Sequence, residues 1–357
     1  TENENFDIAG SYLFGDRDFD KTSSTYGQIV NPLGAGFYQN YGRNELDIKV
    51  YNATLKGTYA TGKHFIQFGN SIEQTNITDK LKEWEYQDSA GYSLPYNPAN
   101  LNLFRSLRST ADLSIQKFSG YVQDNIRLGK NNKDITLQAG IRYNYNSLNK
   151  EFLVSPRMQL SWKPKWKKDV VFKMAGGVYQ QPPFYRELRK YNGTLNTDVK
   201  AQKSYQFVAG MDYNFKGFGN RPFRLTTEGY YKSMRSVDIY DIDNVKIRYA
   251  GNNNAKAYAT GFEARLFGEL IKDAESWLSF GIMQTKENLD NDFYYQYKNA
   301  SGEIITAKST DQVAVDSIKN EVGYVRRPTD RLITAGLYLE DYLPTNKNFK
   351  FHLNLIY

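Results

Sequence analysis

The segment ITLQAGIRYNYN, residues 135–146, alternates strictly between apolar and polar side chains. Successive side chains of a strand point to opposite faces, so this pattern predicts an extended chain with all of its apolar residues on one face. The apolar face would carry Ile135, Leu137, Ala139, Ile141, Tyr143 and Tyr145. The predicted strand is roughly twice as long as the usual strand of a globular sheet. What its apolar face contacts therefore decides the fold class.

The same alternation recurs along the chain, separated by polar stretches rich in turn-forming residues. In YQFVAGMDYNF, residues 205–215, large apolar side chains again share one face while Asp212 and Asn214 lie on the other. We expect about thirteen such strands, from one that begins near Glu4 to a last one at residues 349–357. The sequence therefore predicts an all-β protein.

Composition and charge exclude several classes of protein. The chain has 357 residues and no cysteine, so it can form neither disulfides nor thiolate metal sites. Its net charge of +7 is dispersed, and KPKWKK, Lys163–Lys168, is the one dense basic run. Nucleic-acid binding, which requires a clustered basic face, is not expected. No apolar run is long enough for a membrane helix, but membrane strands need only half of their residues to be apolar.

The connections between the predicted strands alternate between short and long. The short turns are TGK (61–63), GKNNKD (129–134), KPKWKKD (163–169), KGFGNRP (216–222), GELIKDAES (268–276) and LPTNKN (343–348). The long polar loops are expected at about residues 16–47, 76–113, 181–200, 236–256 and 288–326. Short turns at one end and long loops at the other are typical of outer-membrane barrels, whose strands put apolar side chains into lipid and polar ones into the lumen.

A soluble β-protein is the alternative, because half-buried strands alternate in the same way. Sandwich strands are shorter, and a propeller would show a repeat of about 40–50 residues, which the sequence lacks. Aromatic pairs also occur near the predicted strand ends, as membrane interfaces favour: Tyr143 with Tyr145, Tyr213 with Phe215, and Trp162 with Trp166. We therefore predict a transmembrane antiparallel β-barrel of the outer-membrane type, present as a partial barrel of about 13 strands. A soluble all-β glycan-binding protein is the less favoured option.

The direction of the strands carries an expectation about the chain ends. If the short turns are periplasmic, the first strand and the last strand, 349–357, both run outward. A complete single-chain bacterial barrel has an even number of strands and both ends in the periplasm. We therefore expect residues 1–357 to form an incomplete barrel domain.

Several segments together resemble one family of membrane proteins. The sequence resembles TonB-dependent outer-membrane receptors, and most of all the branch with a carboxypeptidase-like regulatory domain before the plug. The resemblance rests on the ordered succession of VSPRMQLSWKP (154–164), GGVYQQPPFYREL (176–188), KAQKSYQFVAGMDYNF (200–215), ATGFEARLFGEL (259–270) and RRPTDRLITAGLYL (326–339). It implies a 22-stranded barrel with an internal plug and a TonB box. We expect the plug, the box and the final strands to lie outside this chain.

The resemblance also implies a function and partners. It implies import of a scarce nutrient of the siderophore, glycan or peptide class across the outer membrane of a Gram-negative bacterium, without a cofactor or a catalytic step. The implied partners are membrane lipid and lipopolysaccharide, the TonB complex through the absent N-terminal parts and, as a further candidate, a surface lipoprotein, but no nucleic acid. The alternative is a barrel that does not transport and acts as an adhesin or as an assembly or secretion partner.

The segment YQQPPFYRELRKYNG, residues 179–193, is the richest candidate for ligand contact. Its two prolines stiffen the backbone, its aromatic rings offer flat apolar faces, and its arginines donate hydrogen bonds to carboxylate, phosphate or sugar oxygens. The candidate ligand-binding residues are Gln181, Phe184, Tyr185, Arg186 and Arg189. A rigid loop packed on the barrel rim is the alternative interpretation.

Other motifs predict less chemistry. His64 and His352 have no second histidine at ligand spacing, and no motif predicts a metal or catalytic site. Asp238, Asp241 and Asp243 lack the spacing of an EF-hand and are interpreted as solvated loop acids, with a calcium site as the alternative. GAGFYQNYGRN, residues 34–44, is interpreted as a flexible loop. A polar set is expected to face the lumen: Arg142, Asn144, Gln206, Asp212, Glu228, Glu263 and Arg265.

Overall fold

The computed structural model describes residues 2–18, 25, 28–89, 92–95, 97, 99–100, 102–128, 134–243, 246–272, 274–306, 309–343 and 345–357. The strands are β1 (Glu2–Arg17), β2 (Ile29–Thr61), β3 (His64–Ser89), β4 (Tyr92–Leu94), β5 (Arg105–Leu128), β6 (Ile135–Asn146), β7 (Glu151–Trp162), β8 (Asp169–Gln181), β9 (Gln202–Gly217), β10 (Arg221–Val237), β11 (Tyr240–Asp243), β12 (Lys246–Tyr249), β13 (Ala255–Ile271), β14 (Ala274–Leu289), β15 (Phe293–Lys298), β16 (Asp316–Glu321), β17 (Val325–Arg326), β18 (Ile333–Leu343) and β19 (Asn346–Ile356). A 3-10 helix spans Tyr185–Leu188. No helix in the described part of the chain is long and apolar enough to cross a membrane.

One antiparallel sheet contains most of these strands. Thirteen of them follow one another from edge to edge in the order β1-β2-β3-β5-β6-β7-β8-β9-β10-β13-β14-β18-β19. β4 and β17 add short pairings to this sheet, and β11–β12 and β15–β16 form separate hairpins in the connections. The thirteen predicted strands are confirmed, and residues 135–146 form β6 with the predicted bounds. β19 runs in the same direction as β1, as the alternation of turns and loops predicts.

The two faces of the sheet differ as the sequence predicts. Apolar side chains such as Ile141 and Met158 stay exposed on the outer face, at 52% and 58%. Asn146 and Ser155, on the inner face of the same strands, are each 1% exposed. Aromatic rings border the outer face at the short-turn end, where Trp162 stacks with Phe172 at 5.7 Å between ring centroids. Exposed apolar side chains between aromatic borders fit a lipid-facing band.

The predicted loops at 16–47 and 76–113 are wrong over much of their length. β2 continues for 33 residues, β3 for 26 and β5 for 24, so these three strands extend far beyond the neighbouring β6 and β7 at the long-loop end. Residues 34–44, interpreted from the sequence as a flexible loop, belong to β2 and pair with both β1 and β3. The sheet therefore stands much taller at β2, β3 and β5 than at β6 and β7.

Partway along β3 the apolar residues move from the outer face to the inner face. This change explains why the sequence pattern did not predict the extended strands. On β3 the outer face carries Phe68 and Ile72, but from Gln74 to Lys82 it carries polar residues. At the same level the inner face gains buried apolar side chains, and Ile77 is 4% exposed. Gln74 donates a hydrogen bond to Ser114 of β5 (2.8 Å) on the polar stretch of the outer face. Below this level the sheet faces lipid, and above it the outer face meets water while the inner face has a core.

The predicted long loops at 181–200, 236–256 and 288–326 are confirmed as connections, and each contains local structure. The 3-10 helix lies in the first, β11–β12 in the second and β15–β16 in the third. On the same end, β6 and β7 are joined by residues 147–150 alone. The long-loop end of the sheet therefore holds most of the irregular structure.

Candidate ligand-binding cavity on the inner face

The loop after β8 folds across the inner face of the sheet. Pro182 and Pro183 lack backbone N–H groups and so cannot extend the β8 ladder, which ends at Gln181. The chain then turns into the 3-10 helix, whose Leu188 is fully buried. A β-carbon placed on Gly193 would lie 3.6 Å from Leu107 on β5, so this loop packs directly against the tall strands.

A charged contact fixes this loop to β3. Arg189 and Tyr185 both donate hydrogen bonds to the carboxylate of Asp79, and Arg189 also donates to the Tyr185 hydroxyl at 2.7 Å. The Arg189 and Asp79 side chains are 14% and 9% exposed. Burial and the neighbouring Asp79 carboxylate raise the pKa of Tyr185 well above its usual value, so its hydroxyl remains a donor. The contact joins residues separated by more than a hundred positions and shows that the sheet curls around its inner face.

A second charged contact brings the β11–β12 hairpin to the same part of β3. Lys246 and Arg248 alternate along β12 and both donate to the Glu83 carboxylate, Arg248 at 2.8 Å. Asn44 of β2 adds a third hydrogen bond to Glu83 at 2.7 Å. Burial would raise the pKa of Glu83, but the hydrogen bonds from Lys246 and Arg248 outweigh it and lower the pKa to about 2. Glu83 is therefore an ionised, buried anchor for the hairpin, beyond the lipid-facing part of β3.

The ring of Phe6 on β1 completes this anchor. The Lys246 ammonium lies 3.8 Å from the Phe6 ring centroid, within the range of a cation–π interaction. Phe6 lies over Gly42 of β2, where a β-carbon would be 1.9 Å from the ring. Any side chain at position 42 would displace the ring, so this approach requires glycine.

A cavity of about 250 Å³ lies between the loop, the hairpin and strands β1–β3. Its wall combines both signs of charge with aromatic and aliphatic groups: Glu2, Glu4, Asn44, Leu46, Asp79, Leu81, Glu83, Tyr185, Arg186, Arg189, Lys190, Lys246, Ile247, Arg248 and Tyr249. Within this wall the contacts of Arg186 are long, 3.6 Å to Glu4 and 3.9 Å to Glu2, and all three side chains are largely exposed. Exposed ion pairs of this kind contribute little free energy of stabilisation, so their side chains are readily available to other charged groups.

The structure brings together three of the five predicted site residues. Tyr185, Arg186 and Arg189 line the cavity. Phe184 packs edge-to-face on Tyr249 of the hairpin at 5.5 Å and supports the wall. Gln181 is the exposed last residue of β8 and is not among the cavity-lining residues.

Sequence reasoning missed the residues that hold the cavity together. Asp79 and Glu83 lie in a stretch interpreted as a loop, and β12 was not recognised as a strand. The available signal was period-2 alternation, since Asp79, Leu81 and Glu83 continue one face of β3 and Lys246 and Arg248 share one face of β12.

Glu187 is a buried carboxyl group at the base of the loop. It accepts hydrogen bonds from the Phe184 backbone N–H (3.0 Å) and from Gln202 (2.8 Å). Burial raises the pKa of Glu187 to about 7, the Phe184 N–H opposes this, and the neighbouring Asp238 carboxylate adds to the increase. Burial likewise raises the pKa of Asp238. The docked loop therefore favours protonated Glu187.

Glu187→Gln is expected to make loop docking insensitive to pH. Because the folded-state pKa lies above the unfolded value, docking is strongest below about pH 4.5 and weakens as the pH rises to about 7 and slightly above. Between pH 4.5 and 8 the free energy of loop docking falls by at most about 3 kcal/mol. Hydrogen exchange of residues 182–200, corrected for intrinsic rates, should show this loss in the unmodified protein and not in Glu187→Gln. Asp198→Asn, an exposed change in the same loop, serves as control and should keep the pH dependence.

The remaining polar motifs do not converge on a metal site in the described residues. Asp238 accepts a hydrogen bond from the Asn252 backbone N–H (3.2 Å), and Asp241 pairs in register with Arg248. The side chain of Asp243 lies outside the described part. His64 bonds Asp124 at 2.5 Å, and His352 bonds Tyr338 at 2.6 Å.

Two of the predicted lumen-facing residues, Asp212 and Arg265, form contacts along the inner face. Asp212, 5% exposed, bonds Lys173 of β8 at 2.5 Å and Arg224 of β10 at 2.6 Å. Arg265 lies 5.0 Å from the Trp277 ring centroid. Polar side chains thus pair with each other across strands below the cavity.

The family model described as TonB dependent receptor-like, beta-barrel matches residues 1–329. The chain belongs to this family. The receptor barrel is accordingly a protein of the Gram-negative outer membrane, and its short turns face the periplasm while its long loops and the cavity face outward. Members of the family are transporters and receptors.

Solved structures share the fold of the receptor barrel at low sequence identity. The copper transporter OprC has a TM-score of 0.52 and 12% identity over 96% of this chain and 50% of its own. The ferric-catecholate import receptor Fiu from K12 E. coli has a TM-score of 0.50 and 13% identity over 98% and 55%. FpvAI, in its complex with pyocin S2, has a TM-score of 0.51 and 10% identity over 97% and 42%. The chain thus spans about half the length of these structures, and curated protein sequences yield no match.

Proposed function

We propose that this receptor barrel forms the wall and rim of a TonB-dependent importer for a scarce nutrient of the siderophore, glycan or peptide class. The barrel binds and positions the ligand and performs no chemical step. Energy coupling runs through TonB and parts of the receptor beyond this chain. The cavity supports this proposal, because it lies on the inner face at the outward end, where a ligand entering the barrel passes.

Within the three classes, the charges of the cavity favour a peptide. Arg186 offers a cationic group to the cavity, and Glu2 and Glu4 offer carboxylates beside it, all of them largely exposed. A ligand with a carboxylate and an amine replaces these long contacts with shorter ones of both signs. A neutral glycan compensates neither charge. Arg186 is the main proposed ligand contact, and Tyr185 and Arg189 line the same cavity. Phe184 and Gln181, which are not in the cavity wall, stay proposed ligand-binding residues.

Arg186→Gln is expected to weaken peptide binding by roughly tenfold or more, since a hydrogen bond to a charged group contributes about 1.5–3 kcal/mol. The full-length receptor in detergent would be incubated with short peptides with free termini, the same peptides with blocked termini, neutral malto-oligosaccharides and a ferric hydroxamate. Bound ligand is measured by mass spectrometry. Lys49→Gln, which changes an exposed charge on β2 outside the cavity, should leave binding unchanged. Retention of the oligosaccharide instead of the free peptides would contradict the peptide assignment.

Transport itself is tested in cells. Uptake of the retained ligand by cells expressing the full-length receptor should disappear when TonB is deleted. Uptake that persists without TonB would overturn the import proposal and favour a barrel acting as an adhesin or assembly partner.

A further inference from the structure

The turn between β7 and β8, residues 163–168, places an exposed tryptophan beside the lipid-facing surface. The Trp166 ring lies 6.2 Å from that of Trp162 and 5.7 Å from that of Phe172, in edge-to-face contacts. Trp162 and Phe172 are the outermost pair of the β7–β8 ladder, and Trp166 remains 57% exposed. The turn is therefore folded back onto the outer face at the level where hydrocarbon meets headgroups.

The same turn carries four lysines in two different settings. Lys163 is paired with Asp169 at 2.5 Å, and Lys165 with Asp134 of the neighbouring turn at 3.4 Å. Lys167 and Lys168 directly follow Trp166, are exposed, and form no ion pair with any described residue. Two ion pairs thus hold the turn, while two further cations lie next to the aromatic cluster.

The surroundings extend this positive charge along the periplasmic rim. Every short turn contains at least one lysine or arginine, including Lys63, Lys216, Arg221 and Lys272. The cavity lies at the opposite end of the sheet, so these charges are separate from ligand capture.

We propose that residues 163–168 form a binding site for an anionic phospholipid of the periplasmic leaflet. Lys167 and Lys168 bind the lipid phosphate as point charges, as lysine does at phosphate sites. The first part of the acyl chains lies against Trp162, Trp166 and Phe172. Complementary charge and adjoining apolar rings select a phosphate attached to a lipid over free phosphate.

A quenching experiment with defined vesicles tests this site. The full-length receptor is reconstituted in mixed phosphatidylcholine and phosphatidylglycerol vesicles in which the acyl chains of one lipid carry bromine, and Trp166 fluorescence is obtained by difference from Trp166→Phe. Each lysine near an anionic surface contributes roughly fivefold to lipid binding. With two lysines, brominated phosphatidylglycerol should therefore be preferred over brominated phosphatidylcholine by roughly 25-fold at equal mole fraction.

The preference should fall close to one in Lys167→Gln/Lys168→Gln. It should persist in the matched control Lys49→Gln/Lys82→Gln, whose exposed lysines lie on β2 and β3 on the outward side of the lipid-facing surface. Sodium chloride should weaken it in the unmodified protein, which tests the charge contribution without a substitution. Equal quenching by both lipids, or a preference that survives loss of both lysines, would overturn the proposal. So would competition by inorganic phosphate that exceeds the effect of chloride at equal ionic strength.

Discussion

Replacing Glu83 by alanine is expected to release the β11–β12 hairpin from the wall of the receptor barrel. Lys246 and Arg248 would remain 15% and 18% exposed without the carboxylate that binds them both. Removing one partner of a buried ion pair costs about 3–5 kcal/mol when the remaining charge has no other partner, and the contact of Lys246 with Glu4 at 3.5 Å offsets part of this cost. Hydrogen exchange of residues 240–249 should accelerate accordingly, and peptide binding should weaken as the cavity opens.

The matched control is Glu45→Ala on β2, which removes an exposed partner of Lys80 at 3.2 Å. Because this ion pair is exposed, its loss is expected to change stability by only about 0–1 kcal/mol. Unchanged exchange of the hairpin in Glu83→Ala would show that Glu83 does not anchor it.

Acid should release the hairpin of the unmodified protein in the same way. Because the folded-state pKa of Glu83 is lowered to about 2, its contribution is complete above about pH 4.5 and is lost as the pH falls toward 2.

Asp79→Ala is expected to detach the loop at residues 182–200 with an effect of similar size. Arg189 would lose its buried counter-ion, and the Tyr185 hydroxyl would lose its acceptor. The expected cost is again about 3–5 kcal/mol. Protease cleavage after Arg186 or Arg189, compared at equal protein concentration, reports detachment of the loop.

A double replacement separates the charge contribution from packing. Asp79→Leu/Arg189→Leu removes both charges next to the apolar Leu81 and Leu107, so it should restore much of the docking that Asp79→Ala loses. Tyr185→Phe, which removes one hydrogen bond, should cost about 1 kcal/mol. If Asp79→Ala leaves the loop as protected as Tyr185→Phe does, the ion pair is not the main contact.

The strands that contact lipid were predictable because lipid imposes one simple rule. β6 has the predicted bounds, since every second residue of 135–146 must be apolar for the strand to lie in a membrane. Above the membrane this rule no longer applies. There Ile77 and Leu81 lie on the face opposite to that of Phe68 and Ile72. The positions that continue the face of Phe68 and Ile72 are polar, so the sequence pattern resembles a polar loop.

The candidate site was predictable in part for a related reason. Tyr185, Arg186 and Arg189 were recognisable because aromatic rings and arginines cluster beside two prolines in one short segment. Asp79, which accepts hydrogen bonds from Tyr185 and Arg189, lies on a strand a hundred residues earlier in the chain, and a single sequence does not reveal which strand a loop folds onto. The pairing of Lys246 with Glu83 likewise depends on how far the sheet curls.

The exchange of faces on β3 and β5 also fixes the vertical position of the receptor in its bilayer. Ile72 of β3 pairs with Phe118 of β5, and two residues further on Gln74 pairs with Gln116. The outer face therefore changes from apolar to polar within about 5 Å along the membrane normal. If the protein shifted along the membrane normal by more than this distance, it would bury amide side chains in hydrocarbon or expose large apolar side chains to water. A thinner or thicker membrane must therefore deform or tilt the protein. Asp79 is seven residues above Ile72, which places the cavity floor roughly 15 Å above the hydrocarbon. The long strands β2, β3 and β5 therefore keep the ligand-binding cavity at a constant distance from the lipid.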